Sequence, residues 1–366
     1  MMSGTIRNFY VGGNTAHGFT SFMDSSLQGL DRIFILQGAP GTGKSELIRT
    51  IGDHMASTGY DIWLLHCASD NAGLDGMIVP QLKVGIIVGT APYEIESLRL
   101  PETDLKYINL DEACDTNQLI IQKLEIENLN EQIAKAYQDA YDGYAEALRI
   151  HDEWETVYIA NMDFQAADEL TKEYIDTLYG ERKLEKRSRV DHRFLGAATP
   201  KGAVDCVPNL TEGLKRFLIK GRPGSGKSTM LKKLAAVAIE RGFDVEIYHC
   251  GFDPNSLDMI IVRDLEFAIF DSTAPHEYFP EFATDEIVDM YTRCIKPGTD
   301  EEHAEAFTHI KERYTVQMKQ STQYLAEVKS LQDELKKIYT QSIDFSRVDR
   351  LKDGIQQEIS QIAVIG

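Results

Sequence analysis

The 366-residue chain is poor in cysteine, tryptophan and proline, with five, two and eleven of each. Five cysteines in so long a chain make no disulfide framework, so a reducing compartment is expected, the cytoplasm being the simplest. No uninterrupted apolar run approaches the roughly 18 residues a membrane span needs. Met1-Met2-Ser3-Gly4-Thr5 has no basic stretch leading into an apolar one, so no secretory signal is expected either. Positive charge is also scarce. Lys and Arg number 38 against 58 Asp and Glu, for a net charge of −20. Such a surface repels nucleic acid unless cations gather in one patch. The one modest basic run, residues 182–193, reads as a solvated helix end and linker. Neither nucleic acid nor a membrane is therefore an expected partner.

What is present is a repeat. The composition, 43% hydrophobic and 26% charged, is that of a folded globular chain. The length suggests two or three domains. Residues 34–92 align with residues 217–275 without a gap at an offset of 183, and 21 of the 59 positions are identical. Among them are Phe34/Phe217, Lys44/Lys227, Ser45/Ser228, His66-Cys67/His249-Cys250, Asp70/Asp253, Leu74-Asp75/Leu257-Asp258 and Thr90-Ala91-Pro92/Thr273-Ala274-Pro275. Further on, Tyr158, Met162-Asp163-Phe164 match Tyr339, Ile343-Asp344-Phe345 at an offset of 181. A duplicated unit explains this pattern.

In each copy an apolar strand leads straight into glycine, a helix follows, and two further strands come after. The fold class expected is α/β: two tandem P-loop NTPase cores, each a three-layer unit with a parallel sheet, and each followed by a long α-helical hairpin. The boundaries read as core 1 over 1–112, hairpin 1 over 113–190, core 2 over 191–298 and hairpin 2 over 299–366. Between residues 111 and 180 the only glycine is Gly143, between 299 and 361 it is Gly354, and neither stretch has a proline. Phe307, Ile310, Tyr314, Met318, Leu325, Val328, Leu331, Leu335 and Ile338 recur at spacings of three and four, with Ser321 the one polar seam position. Ile126, Leu129, Ile133, Tyr137, Tyr141, Tyr144, Leu148, His151 and Trp154 do the same in the first half. These are coiled-coil-like stripes on helices of about 40 residues. Asp163 and Asp344 are placed to cap a second helix in each segment.

Gly38-Ala39-Pro40-Gly41-Thr42-Gly43-Lys44-Ser45 and Gly221-Arg222-Pro223-Gly224-Ser225-Gly226-Lys227-Ser228 both fit GxxxxGK[ST]. The glycines let backbone N–H groups turn inward onto phosphate oxygens, and the helix behind adds its positive end. Lys44 and Lys227 would reach the β- and γ-phosphates, and Ser45 and Ser228 would ligate Mg²⁺. Glu46 and Thr229, next along each helix, complete the two nucleotide-binding sets. ATP is preferred, since no guanine-reading Asn/Thr-Lys-x-Asp element is present. The acidic Mg²⁺ partner should end an apolar strand, and Asp271 in Phe267-Ala268-Ile269-Phe270-Asp271 does so. The aligned residue in the first half is Val88. Asp111-Glu112 looks like a substitute, but the repeat sets it beyond the strand, where it reads as a helix-start pair. The second site is thus expected to be the more complete.

Asp271 is followed by Ser272, so the usual water-activating carboxylate is missing. His276 and Glu277, and Glu94 in the first half, are candidate bases against the alternative of surface loop residues. The His-Cys elements end strands at the edge where such sheets bind ligands. A structural role, a substrate or γ-phosphate contact, and a metal site all remain open for them. Asp75 and Asp258 could orient a water or an acceptor hydroxyl. Cys114, Cys206 and Cys294 read as packing. Arg222, Arg263 or Arg293 could act across a site shared between the cores.

With tandem GxPGxGKS loops, paired HCxxD and paired TAP[YH]E elements, the chain resembles a family of bacterial tandem P-loop ATPase-like proteins of unassigned role. The resemblance covers essentially the whole chain and implies ATP binding on a P-loop fold. Val88 and Tyr93, standing where the second half has Asp271 and His276, depart from a catalytic pattern. The leading expectation is a Mg²⁺-dependent ATPase, with Lys227, Asp271, Glu277, His276 and Asp258 as its catalytic set. Its helical hairpins would signal to a protein partner or to each other. The alternatives are a small-molecule or nucleotide kinase with the hairpins as lids, and a nucleotide-gated scaffold whose first site does not hydrolyse. The oligomeric state is left open.

Overall fold

The computed structural model describes residues 3–93, 100 and 102–365. The first half opens with β1 (Ile6–Tyr10), a small hairpin of β2 (Gly12–Thr15) and β3 (Gly18–Ser21), and a short helix α1 (Met23–Leu27). Then come β4 (Arg32–Gln37), α2 (Lys44–Ser57), β5 (Ile62–His66), β6 (Leu74–Val79), β7 (Val84–Val88) and β8 (Asp104–Asn109). The helical segment is α3 (Thr116–Ile121), α4 (Lys123–Ala160) and α5 (Phe164–Tyr179). The second half repeats that order with β9 (Val190–Phe194), β10 (Gly196–Thr199), β11 (Gly202–Asp205), α6 (Val207–Leu210), β12 (Lys215–Lys220), α7 (Lys227–Glu240), β13 (Val245–His249), β14 (Leu257–Val262), β15 (Phe267–Asp271) and β16 (Glu286–Asp289). It ends with α8 (Met290–Cys294), α9 (Thr299–Glu302), α10 (Ala304–Gln341) and α11 (Phe345–Ile365).

One twelve-stranded sheet runs β16-β12-β15-β14-β13-β9-β1-β5-β6-β7-β4-β8, so the two halves mirror each other about β9-β1. The expected parallel sheet needs one correction. β6 pairs antiparallel with β5 and β7, and β14 does so with β13 and β15, while the other strands of each half run in one direction. Residues 67–73 and 80–83 are too few for the crossover of a dozen or more residues that a parallel return requires. Lys83 and Glu266, at φ 52° and 57°, close the second of these turns in each half. Alternate residues of β4 face opposite ways. Phe34 and Leu36 pack under α2, while Ile33 and Ile35 pack with Met23 and Leu27 of α1. Helices therefore pack on both faces of this part of the sheet.

The helical hairpins do not form. Leu129 of α4 packs with Leu335 and Ile338 of α10, Tyr144 with Leu325, and Tyr158 with Phe307, so α4 and α10 pair antiparallel along their length. The two apolar stripes of the sequence are each other's partner. Gly143 and Ser321 explain one another here. A Cβ on Gly143 would lie 2.2 Å from the Ser321 hydroxyl, so the helices touch closely where both side chains are small. The second helix of each segment crosses over as well. Leu170, Tyr174 and Leu178 of α5 pack with Met230, Leu231 and Leu234 of α7 in the second half. Val348, Ile355 and Ile359 of α11 pack with Leu47, Ile48 and Ile51 of α2 in the first. Each core is thus completed by the other half's last helix. Asp163 caps α5 as expected, accepting from the Ala166 N–H at 3.0 Å.

β1 and β9 meet through a single pair, Tyr10 and Phe194, the last residue of each strand. Where they diverge, each free edge is satisfied by the other half. Asn209 accepts from the Asn8 N–H (2.7 Å) and donates to the Ile6 carbonyl (2.8 Å), while Ser25 accepts from the His192 N–H (2.7 Å). Arg193, at the end of the basic run, is fully buried rather than solvated. Its guanidinium lies between the rings of Phe9 and Trp63, 4.3 and 4.4 Å from their centroids. It pairs with Asp191 (3.1 Å) and faces Glu246 (3.7 Å), which Arg263 (2.6 Å) and the Tyr248 hydroxyl (2.7 Å) also hold. Among the described residues no helix is long and apolar enough to cross a membrane.

Ile359→Ala should cost about 2–4 kcal/mol, as removal of a fully buried side chain does. Hydrogen exchange should then show protection lost in α2, with α7 unchanged; loss confined to the second half would contradict the exchange of helices. Burial pushes the Glu246 carboxyl up, but the charges of Arg193 and Arg263 outweigh it and bring it down from 4.5 to about 2. A depressed acid stabilises the fold above its unfolded pKa and loses that contribution as pH falls through the folded one. Stability measured by urea unfolding should therefore drop between pH 4.5 and about 2. In Glu246→Gln it should be lower at pH 7 and flatter across that window.

Candidate functional site

Both glycine loops leave a buried strand one place in from an edge of the sheet and enter a helix whose first residue is the loop lysine. Gly43 and Gly226, at φ 91° and 86°, sit just before α2 and α7 in the left-handed region that side chains avoid. Gly41 and Gly224, two residues earlier, are held for another reason. A Cβ on Gly224 would lie 2.7 Å from the Glu155 carbonyl oxygen of α4, and one on Gly41 would lie 2.8 Å from the Lys336 carbonyl oxygen of α10. Each loop is therefore sealed by the far end of the other half's long helix.

Around the second loop the charged groups converge. Lys227 Nζ donates to the Arg222 carbonyl (2.8 Å) and lies 3.5 Å from Asp271 Oδ2. Asp271 ends β15 directly beside Ile219 of β12, and the Thr273 N–H and hydroxyl fix its other oxygen at 3.1 and 2.7 Å. The Ser228 hydroxyl accepts from the Leu257 N–H at 2.9 Å, which leaves a lone pair for a cation. Burial and the charge of Asp271 push the neighbouring Asp258 up to about 7. His276 Nδ1 meets Asp205 Oδ2 at 2.8 Å, and the Tyr278 hydroxyl donates to Asp205 Oδ1 at 2.5 Å. Burial lowers the His276 pKa, but Asp205, Asp258 and Asp271 outweigh it, and the net shift is upward. With Nδ1 engaged, Nε2 is the ring nitrogen available to the site.

Lys227, Ser228, Asp258, Asp271 and His276 line a cavity of about 1180 Å³, with Asp205 behind His276. Residues 221–229 form its floor, with Asp258, Asp271 and His276 beside them, and α4 and α10 form its roof with His151, Glu155, Phe307, Lys311 and Tyr314. Among the expected catalytic residues Lys227, Asp258, Asp271 and His276 are brought together. Glu277 is not. It is half exposed and lies 3.5 Å from Lys220, outside the cavity wall. Glu94 lies outside the described residues.

The first loop has the same backbone and different chemistry. Gly38, Pro40, Gly41, Thr42, Gly43 and Ser45 stand where the second loop has Gly221, Pro223, Gly224, Ser225, Gly226 and Ser228. Lys44 Nζ turns back onto the carbonyls of Gly38 and Ala39. Burial lowers it to about 8. Val88 pairs with Leu36 as Asp271 does with Ile219, so β7 offers no carboxylate at that place, and the acid whose charge acts on Lys44 is Asp111, just past β8. Tyr93 replaces His276, and its hydroxyl donates to Asp75 at 2.5 Å. Asp75 is pushed up to about 6 by burial. Asp111 starts a 3₁₀ turn (Leu110–Ala113), as the repeat suggested, but it does more than that. Its Oδ1 accepts from the Ala39 N–H of the loop at 2.9 Å.

The His-Cys elements divide. His66 Nε2 bonds to Asn8 (2.8 Å), while His249 bonds to the Pro254 carbonyl (2.6 Å) and His192 (2.8 Å), so these histidines hold loops and strand ends. Cys250, Asp253 and Asp258 line the cavity. With both His249 nitrogens engaged, the element gathers no metal set around that histidine. The arginines considered for a trans role are also taken. Arg222 pairs with Asp300 (2.8 Å), Arg263 with Glu246 (2.6 Å) and Arg293 with Glu173 (2.8 Å). Sequence reasoning missed Asp205 and the α4 residues His151 and Glu155. Asp205 ends the β10–β11 hairpin opposite Gly196, as Ser21 does opposite Gly12, and this match lies outside the gapless part of the repeat.

No family model matches the chain, and no curated protein or solved structure is significantly similar to it.

Gly224→Ala should destabilise the protein more than Gly298→Ala. Both glycines have positive φ (73° and 86°), but a Cβ at 298 meets nothing within 4 Å, whereas one at 224 strikes the end of α4. The shared backbone strain is about 1 kcal/mol. Urea unfolding of the two variants isolates the remainder, and equal losses would mean that α4 does not press on the loop.

Proposed function

We propose that the second glycine loop binds ATP with Mg²⁺ and transfers its γ-phosphoryl group to water. The observation that carries this reading is the lysine–aspartate pair. Lys227 leaves the loop and faces Asp271 at the end of the adjacent strand, 3.5 Å away, within a cavity. In this reading the N–H groups of residues 221–228 hold the phosphates against the start of α7. Lys227 neutralises the β- and γ-oxygens, and the Ser228 hydroxyl and Asp271 hold Mg²⁺. The cation supplies charge neutralisation on the phosphates. Asp205 fixes His276 through Nδ1, so Nε2 is placed to take a proton from the attacking water. Asp258 supports that ring electrostatically. The first loop, with Val88 and Tyr93 in place of Asp271 and His276, binds phosphate without comparable turnover. A two-core P-loop architecture accounts for the repeated strand order and for both loops.

One observation favours a second reading, phosphoryl transfer to an acceptor other than water. The cavity continues past the loop to Leu148, Phe252, Tyr314 and Met318 beneath the two long helices. A small-molecule acceptor would fit there, with α4 and α10 acting as its lid.

ATP turnover measured with Mg²⁺ should vanish in Lys227→Ala and persist in Lys44→Ala. His276→Ala should lower kcat by about 10²–10⁴-fold, the usual worth of a general base. Asp205→Asn should lower kcat with little change in KM. Equal loss in the two lysine variants would end the asymmetric reading. Phosphate released one-for-one with ADP supports water as acceptor, and ADP formed without free phosphate supports the acceptor reading.

A further inference from the structure

The ends of α4 and α10 do the same job on the two loops, so their residues can be compared turn for turn. The Glu155 carbonyl faces Gly224 and the Lys336 carbonyl faces Gly41. Glu155 therefore corresponds to Lys336, Asp152 to Asp333, His151 to Gln332 and Leu148 to Lys329. Over the first loop this patch is self-sufficient. Lys329 binds both oxygens of Asp333 at 2.5 Å, and Gln332 donates to the Tyr137 hydroxyl at 3.2 Å. Over the second loop the aspartate is kept, but both ammonium groups are gone. An apolar residue and a second carboxylate replace them, and an imidazole stands between.

The replacements are ligands. His151 and Glu155 are four residues apart and share a helix face, with His151 Nδ1 3.7 Å from Glu155 Oε1. One ligand atom from each of His151, Asp152 and Glu155 can be chosen so that all lie within 4.8 Å of one another. Metal–ligand bonds of about 2.0–2.2 Å set tetrahedral ligands about 3.4 Å apart, so rotation of these side chains must bring the more distant atoms together by about an ångström. All three line the cavity that contains Lys227 and Asp271. A divalent ion there would restore the positive charge that the two lysines give the first patch.

We infer that His151, Asp152 and Glu155 form a divalent transition-metal site on the roof of the second loop's cavity. An imidazole with two carboxylates suits Zn²⁺, Mn²⁺ or Co²⁺ better than Mg²⁺. The site is carried by the first half and serves the second. It stands on the side chains of α4 alone and does not depend on what the loop binds.

The test uses full-length protein freed of metal by chelator, with Co²⁺ as probe and no nucleotide. Bound ion is measured by equilibrium dialysis and by visible absorption. Wild type should bind one equivalent with the spectrum of an imidazole–carboxylate site, and Asp271→Asn should bind it equally. His151→Ala and Glu155→Gln should each weaken binding by about 10–100-fold or more. The double change His151→Gln with Glu155→Lys gives α4 the residues α10 already uses at this place, so it should fold, as circular dichroism would show, and bind no Co²⁺. No binding by wild type would overturn the site, as would undiminished binding by the folded double variant. Loss of binding in Asp271→Asn alone would place the ion at the loop and overturn it too.

Discussion

A carbonyl oxygen of one half's long helix occupies the space that a Cβ would need on the other half's glycine loop, and much of the architecture follows from that contact. For Glu155 to reach Gly224 and Lys336 to reach Gly41, each helix must leave its own core and cross to the other. The 38 residues of α4 and of α10 span about 57 Å at 1.5 Å per residue. Helices crossing in opposite directions meet, which gives the two apolar stripes a common burial. Having crossed, each chain turns at an aspartate and lays its last helix on the core it has reached. Neither core then covers the outer side of its loop helix with its own residues. The repeat is a repeat of sequence, but the folding unit is the whole chain.

The same backbone carries unlike chemistry at both of its meeting points. At the centre of the sheet the second half contributes Asp191, Arg193, Glu246 and Arg263 to a buried ionic cluster. The first half answers with the rings of Phe9 and Trp63 and with one cation, Arg7, 3.9 Å from Glu246. A buried charge that lost its partner would be strongly destabilising, so this cluster fixes how the halves join. At the loops the difference runs the other way. Asp271, His276 and Asp205 gather at one loop, while Val88, Tyr93 and Ser21 stand in their places at the other. Tyr93 turns its hydroxyl onto Asp75, so the first copy makes a closed contact where the second has a histidine held by Asp205.

Much of this was legible in the sequence. The strand-to-glycine-to-helix context placed both loops, and the spacing of apolar residues gave two long helices within a few residues of their length. Using one copy as the alignment for the other set Asp271 beside the loop and left Val88 opposite Leu36. The partner of the apolar stripes was not legible, because periodicity says that a face is buried and not what buries it. Two segments of equal pattern read as two hairpins as readily as one exchanged pair. The reversal of β6 and β14 was hidden in short connections whose meaning depends on strands the reading had not assigned. Arg193 closed a basic run that looked solvated, and only the rings of Phe9 and Trp63, distant in sequence, show why it is buried. Asp205 lay past the gapless part of the repeat, and no motif joins it to His276.

Asp111 shows what a correct alignment leaves out. The repeat rightly set it beyond the strand, at the position of Tyr291, yet it still reaches the loop through the Ala39 N–H. Its counterpart works by other atoms. Arg222 of the second loop stacks on Tyr291 at 4.6 Å and pairs with Asp300, just before α10. The second loop is thus tied through Asp300 to α9, just before α10, and the first through Asp111 to the turn that precedes α3, and each is pressed by the end of the other half's long helix. Together α9 and α10 therefore touch both loops, at Asp300 and at Lys336, and α4 lies against α10 along its length. The α4–α10 seam packs closely, as at Gly143 and Ser321, and leaves little slack between the two helices.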